Sequence, residues 1–168
     1  IGKTADYLFK AFSAPDAIYT SDLKRAGRSA EIIAEKFGLK NLKPIVMPSL
    51  RERNFGLWEG MSFDEINNKY PDEFNRWAAA PLRFSPMGGE STQEVNDRVV
   101  KALEEIMEGH NGGVVAAVAH GGVNRVIICR LIGIPLENIF RVEQDYGALS
   151  IVEFNNGYPV LRLLNFRP

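Results

Sequence analysis

The clearest switch in hydrophobic pattern lies at residues 114–125, VVAAVAHGGVNR. An unbroken apolar run over 114–119 stops at His120-Gly121-Gly122, and Val123, Val126, Ile127, Arg130 and Leu131 then resume at helical spacing. Continuous apolar runs mark parallel strands whose sheet is covered by helices on both faces. The stretch therefore predicts a buried strand that turns through two glycines into a helix.

The same reading divides the rest of the chain. Ala5, Leu8, Phe9 and Phe12 have helical spacing within residues 1–12, and Pro15 ends that helix. Ala17–Thr20 (AIYT) is a short strand. Ser21 and Asp22 then offer capping oxygens to a helix running to about Phe37, with Ala26, Ala30, Ile33, Ala34 and Phe37 as its apolar stripe and Gly38 as its stop. Residues 45–47, between Pro44 and Pro48, form a second short strand. The aromatic, charged and glycine-punctuated segment 50–60 (LRERNFGLWEG) is a loop. Ser62 and Glu65 make a capping box for a short helix, and Pro71 opens another reaching about Ala79. Residues 80–90 (APLRFSPMGGE) form a loop that is long for a compact domain. Ser91 and Glu94 are a second capping box, and the helix beyond carries Val95, Val99, Leu103, Ile106 and Met107 on one face. Gly133-Ile134-Pro135 stops the helix that follows His120, and strands at 148–154 and 158–164 join across Asn155-Asn156-Gly157, a hairpin signal. Strands that alternate with helices and end in a hairpin predict an α/β fold: a mostly parallel central sheet with an antiparallel edge.

Length and composition narrow the class without naming it. A chain of 168 residues, 45% hydrophobic and 24% charged, is one globular domain's worth of sequence with room for a real core. A net charge of −1 provides no global field toward nucleic acid or an acidic membrane, though it leaves room for a local basic pocket. No apolar run approaches the roughly 18 residues that span a bilayer, and the amino end, IGKTADYLFK, lacks a signal-peptide layout, so the expectation is a cytoplasmic protein. Cys129 is the single cysteine; within an apolar helical pattern it reads as a buried structural thiol. Of the two histidines, His110 precedes the helix stop Asn111-Gly112-Gly113 and reads as structural, favourably placed against a helix dipole. No Cys/His cluster has zinc spacing.

The candidate chemistry gathers at the carboxyl ends of predicted strands, where α/β folds bind ligands. His120 stands at such an end, before glycines whose free N–H groups attract anions. The same residues also fit a satisfied histidine capping a strand, and alone they leave both readings open. Arg25 lies at a helix start, where the dipole disfavours a cation unless an anion joins it; pairing with Asp22 or another nearby acid is the plain alternative. Glu52, just past the second strand, is a candidate general acid, or else the partner of Arg51 or Arg53. Gly88-Gly89-Glu90-Ser91 can surround an anion, with Glu90 orienting an arginine, or can be no more than a capped helix entrance.

The motifs SxLxRA (21–26), LxExxFGxWEG (50–60), GGES (88–91) and AHGG (119–122) occur in that order, and in this the chain resembles the histidine phosphatase superfamily, which groups phosphoglycerate mutases with many small phosphatases. The resemblance covers essentially the whole chain. It implies a three-layer α/β/α domain, no metal or organic cofactor, and chemistry through a phosphohistidine. Carried over by motif, Arg25 grips the transferred phosphoryl group and Glu52 protonates the leaving alcohol and then activates water. His120 donates hydrogen bonds to phosphoryl oxygens and Gly121 adds a backbone N–H, with Ser21 and Glu90 among the phosphate- or substrate-binding residues. The family's Arg-His-Gly triplet, which carries the nucleophilic histidine, does not occur here. The resemblance therefore implies a single domain over 1–168 without its first strand and nucleophile loop, or else a non-catalytic phospholigand-binding member. The phrases 55–60 and 81–91 look like the α-ribazole phosphatases of cobalamin assembly, with broad-specificity phosphatases sharing much of the pattern; a mutase-type enzyme is the further alternative. The implied partner is a small phosphorylated metabolite, with neither nucleic acid nor membrane, and a homodimer is compatible with the family. Side chains around the leaving group, among them Trp58, Arg83, Phe84, Met87 and Tyr146, are candidates for setting substrate choice.

Overall fold

The computed structural model describes residues 1–39, 41–110 and 112–168. Its elements are α1 (Gly2–Ala11), β1 (Ala17–Thr20), α2 (Lys24–Lys36), β2 (Ile45–Val46), α3 (Phe63–Lys69), α4 (Pro71–Ala79), α5 (Thr92–Gly109), β3 (Val115–Val118), α6 (Gly121–Ile132), β4 (Leu149–Asn155) and β5 (Tyr158–Phe166), with 3-10 turns at Pro48–Leu50, Gly56–Trp58 and Leu136–Arg141. The strands β2, β1 and β3 pair in parallel in that spatial order. Alternation along the strands then builds two cores. Ile18, Ala116 and Val118 pack with Ala5, Ala30, Ile33 and Ala34 of α1 and α2. Tyr19 and Val115 join the core formed by Val95, Val99, Ala102 and Ile106 of α5 and Val123, Val126 and Cys129 of α6. Helices thus cover both faces of the sheet, giving the three-layer α/β/α arrangement. Cys129 is buried in it as a free thiol.

The last two strands form an antiparallel hairpin, a two-stranded sheet of its own. It closes through Asn156 and Gly157, both at positive φ (52° and 80°), the conformation a two-residue hairpin turn with right-handed strand twist demands. β5 continues past Leu164 to Phe166.

Three local expectations need correction. α2 starts at Lys24 with Leu23 as its cap, and neither Ser21 nor Asp22 closes its first turn. Their oxygens are engaged elsewhere, Ser21 with His120 and Asp22 with Arg51. The run at 114–119, expected to be buried, is half-buried along β3, and Ala117 is exposed. The reason is pairing: among the described residues β3 is bonded to β1 on one side only. The hairpin loop is also tighter than Asn155-Asn156-Gly157, because Asn155 still pairs with Tyr158.

Both capping boxes form, Ser62 with Glu65 and Ser91 with Glu94. His110 caps α5, and its Nε2 lies 3.0 Å from the Tyr19 hydroxyl; Asn111 of the expected helix stop lies outside the described residues. Among the described residues no helix is long and apolar enough to cross a membrane.

Between β2 and α5 the chain builds a satellite lobe around Trp58, Ile66 and Phe84, backed by Phe55, Tyr70, Phe74 and Trp77. Its loops, 50–60 and 80–90, meet backbone to backbone: Leu57 N–H donates to the Met87 carbonyl at 3.0 Å and Glu90 N–H to the Asn54 carbonyl at 2.8 Å. Gly56 (φ +53°) and Gly89 make this approach sterically feasible. A Cβ on Gly89 would stand 2.7 Å from the Asn54 carbonyl oxygen.

Ile18 is fully buried between the layers. Ile18→Ala is expected to lower unfolding stability by about 2–5 kcal/mol, read as a shifted urea midpoint with an unchanged slope.

Candidate active site

The parallel register sets Thr20 opposite Val118, so β1 and β3 deliver the residues that follow them at the same end of the sheet. There Ser21 Oγ and His120 Nε2 lie 2.7 Å apart, both buried. One hydrogen bond joins them, and either atom can donate it. Ser21 Oγ also accepts the Leu23 N–H at 3.3 Å.

His120 is the backbone cap of α6, whose first residues are Gly121 and Gly122. The amino end of a helix presents unpaired N–H groups and partial positive charge. Glu52 occupies part of it: the Gly122 N–H donates to Glu52 Oε2 at 3.1 Å, and the Arg53 N–H donates to Glu52 Oε1 at 2.9 Å. A Cβ on Gly122 would lie 2.6 Å from Glu52 Oε1, so this contact depends on the glycine. The residue that holds the acid is thus Gly122, which sequence reasoning passed over for its neighbour Gly121; the doubled glycine after His120 was the available signal. Gly121 opens the helix beside Arg125, whose Nη1 lies 3.7 Å from where its Cβ would be.

The simple ion pairs do not form. Asp22 pairs with Arg51, which takes it from Arg25 and takes Arg51 from Glu52. Arg25, in the first turn of α2, is exposed, and its guanidinium makes no hydrogen bond or ion pair to any described residue. Arg53 is buried and donates to the Glu90 carbonyl (2.8 Å), Thr92 Oγ1 (3.1 Å) and the Phe84 carbonyl (3.3 Å). Its guanidinium lies over the Phe55 ring, so it ties the two loops together.

Glu90 accepts two hydrogen bonds from Arg98, at 2.8 and 3.0 Å, and one from the Asn54 N–H at 2.9 Å. Burial alone would raise its pKa, but the Arg98 guanidinium and the Asn54 N–H hold it below the usual carboxylate range. Arg98, which sequence reasoning did not select, also donates to the carbonyls of Ser49 (2.7 Å) and Glu52 (3.4 Å). Of the side chains considered for the leaving group, Trp58 and Phe84 are buried in the aromatic lobe, stacked with ring centroids 5.2 Å apart. Arg83, Met87 and Tyr146 are exposed.

Burial pushes the His120 imidazole below its ordinary pKa of 6.5. Glu52 and Asp22 pull it up, while Arg25 and Arg98 push it further down. The ring is therefore neutral near pH 7, with a carboxylate and an unneutralised arginine acting on it. Among the described residues, no three His, Cys, Asp or Glu side chains are grouped so as to hold a metal ion.

At one end of the parallel sheet the structure thus gathers a cation, an imidazole–hydroxyl pair and a carboxylate on a helix amino end, the position at which α/β folds bind ligands and helix ends attract anions. Comparison with known proteins gives the family. The profile of the Histidine phosphatase superfamily (branch 1) matches residues 3–167, and the chain belongs to that superfamily. Phosphoserine phosphatase 1 of Hydrogenobacter thermophilus is 35% identical over 150 residues, covering 89% of this chain and 70% of the relative. Adenosylcobalamin/alpha-ribazole phosphatase of Escherichia coli (strain K12) is 28% identical over 152 residues, 90% of this chain and 73% of the relative. The crystal structure of the alpha-ribazole phosphatase from Shigella flexneri superimposes with a TM-score of 0.84 at 26% identity, over 98% of this chain and 80% of that one. By family, the chain is a phosphatase, a phosphoric monoester hydrolase.

Two outcomes follow from this geometry. Because the folded state lowers the His120 pKa, the unfolded chain binds the extra proton more readily. This residue's contribution to stability is therefore full above pH 6.5 and is lost as pH falls from there through the lower folded value. His120→Gln should flatten that part of a stability–pH profile measured by denaturant unfolding. Gly122→Ala, which must displace the Glu52 carboxylate, should cut phosphatase turnover by about a hundredfold while thermal stability changes little.

Proposed function

We propose that Arg25, Ser21, His120 and Glu52 form the phosphoryl-binding and proton-transfer part of a metal-independent phosphomonoesterase that works through a phosphohistidine on a small phosphorylated metabolite. The observation that carries this reading is the buried Ser21–His120 pair, with Glu52 seated on the adjoining helix end and Arg25 left without an anion. In this reading an imidazole nitrogen attacks phosphorus, the ester P–O bond breaks, and Glu52 gives its proton to the departing alkoxide oxygen. Water then attacks the phosphohistidine, Glu52 takes the water's proton, and the imidazole leaves with its electron pair. Arg25, Ser21 and His120 meet the charge on the equatorial oxygens; donors fixed in advance stabilise that charge without reorganising.

Neither histidine of the chain suits the nucleophile's part. His110 caps α5 beside Tyr19, and His120 is bound to Ser21. In the family's pattern the attacking imidazole belongs to an Arg-His-Gly triplet, which these 168 residues do not contain, and in this reading it comes from such a segment; among the described residues β3 is paired on one side only, which leaves room for a strand beside it. A non-catalytic phospholigand-binding protein is the contrary reading.

For the substrate, α-ribazole 5′-phosphate is supported by the loop phrases at 55–60 and 81–91 and by likeness to the Escherichia coli and Shigella flexneri enzymes. Phosphoserine is the second reading, favoured by the 35% identical relative from Hydrogenobacter thermophilus. Specificity constants on α-ribazole 5′-phosphate, phosphoserine, phosphoglycerates and sugar phosphates separate these from a broad-specificity phosphatase and from a mutase-type enzyme.

Turnover is expected to survive EDTA, and acid-labile phosphohistidine should be trapped from labelled substrate; a strict metal requirement overturns the proposal. Glu52→Gln is expected to slow turnover by roughly 10²–10⁴-fold. Unchanged turnover in that variant removes Glu52 from the role.

A further inference from the structure

Arg98 projects from α5 into the segment that carries Glu52, and its guanidinium is used on three sides. Nε and Nη2 hold the two oxygens of Glu90, Nη1 takes the Ser49 carbonyl, and Nη2 also reaches the Glu52 carbonyl. The Arg98 and Glu90 side chains are only 22% and 27% exposed, so water screens the pair weakly. Glu90 extends the hold through the Asn54 N–H. The backbone on both sides of Glu52 is thereby anchored to α5, while the Glu52 carboxylate is anchored to the amino end of α6.

We propose that Arg98 is a positioning residue for proton transfer, fixing the backbone of Glu52 so that its carboxyl meets the leaving oxygen; Arg98 itself does not touch the phosphoryl group. This rests on the reading of Glu52 as proton donor. A planar fork suits this task, since a lysine ammonium in its place offers a point charge and cannot span Glu90 and two carbonyls together.

The test uses two esters that differ in their need for a proton. An alkyl phosphate must have its leaving oxygen protonated, whereas 4-nitrophenyl phosphate expels a stable phenolate. In the enzyme, Glu52→Gln, Arg98→Lys, Glu90→Gln and the Glu52→Gln/Arg98→Lys double variant are compared by kcat/KM on both esters, by inhibition with inorganic phosphate, and by thermal midpoint. Arg98→Lys is expected to lose about tenfold or more on the alkyl ester and far less on 4-nitrophenyl phosphate, with phosphate inhibition retained and no further loss in the double variant. Glu90→Gln should show the same ester dependence more weakly, and it serves as the test if Arg98→Lys does not fold. Equal losses on both esters, or losses that add in the double variant, overturn the role of Arg98. If Glu52→Gln itself shows no ester dependence, the proton-donor reading of Glu52 fails instead, and the two failures are told apart by that variant alone.

Discussion

The Glu52 carboxylate on the amino end of α6 is the contact through which the separate parts of this chain meet. A helix amino end stabilises a negative group by about 0.3–1 kcal/mol when exposed, and by up to about 2 kcal/mol when partly buried. That energy is modest, and its value here is geometric. The hydrogen bond from Gly122 joins the loop after β2 to the turn after β3, and so sets an acid beside the imidazole of His120. A methyl group on Gly122 would remove the space the carboxylate uses. The loop can reach that far because Gly56 and Gly89 allow two backbones to pack directly, and because buried Arg53 satisfies carbonyls on the facing loop.

Charge around His120 is arranged in tiers. Asp22 is neutralised by Arg51 and Glu90 by Arg98, and Arg53 is spent on carbonyl and hydroxyl oxygens. Among the described residues none pairs with the Arg25 guanidinium, which stands at a helix start where its charge opposes the dipole. In the proposed function an incoming dianion would relieve that opposition and raise the proton affinity of the imidazole. Binding of such a ligand and protonation of His120 would then be coupled with positive sign.

The sequence made the fold readable where period and punctuation agreed. The apolar runs marked β1 and β3, the capping boxes at Ser62 and Ser91 marked the starts of α3 and α5, and Asn155-Asn156-Gly157 marked the hairpin, one residue wider than its turn. Arg25, Glu52 and His120 were legible because each follows a strand, and strand ends of a parallel sheet converge by construction. What stayed hidden depends on partners distant in sequence. From its own neighbourhood Ser21 read as a helix cap, and only the family motif suggested a binding role; that its hydroxyl goes to a histidine 99 positions away was not legible. Arg98 flanks the apolar stripe of α5 with nothing in its own neighbourhood to mark it, and only the fold shows four oxygens around it. β3 read as buried because six apolar residues in a row say nothing about how many of a strand's edges are paired.

The placement of the aromatic residues separates the two demands of a phosphatase. Ser21 and His120 follow strands fixed by the sheet, and their positions follow from the register of β1 against β3. The satellite lobe is fixed differently, by Trp58 and Phe84 stacked on each other and by Trp77 meeting Phe63 and Phe140. Being buried, Trp58 and Phe84 shape that lobe from within, whereas Arg83 and Met87 are exposed on it and can change without disturbing its core.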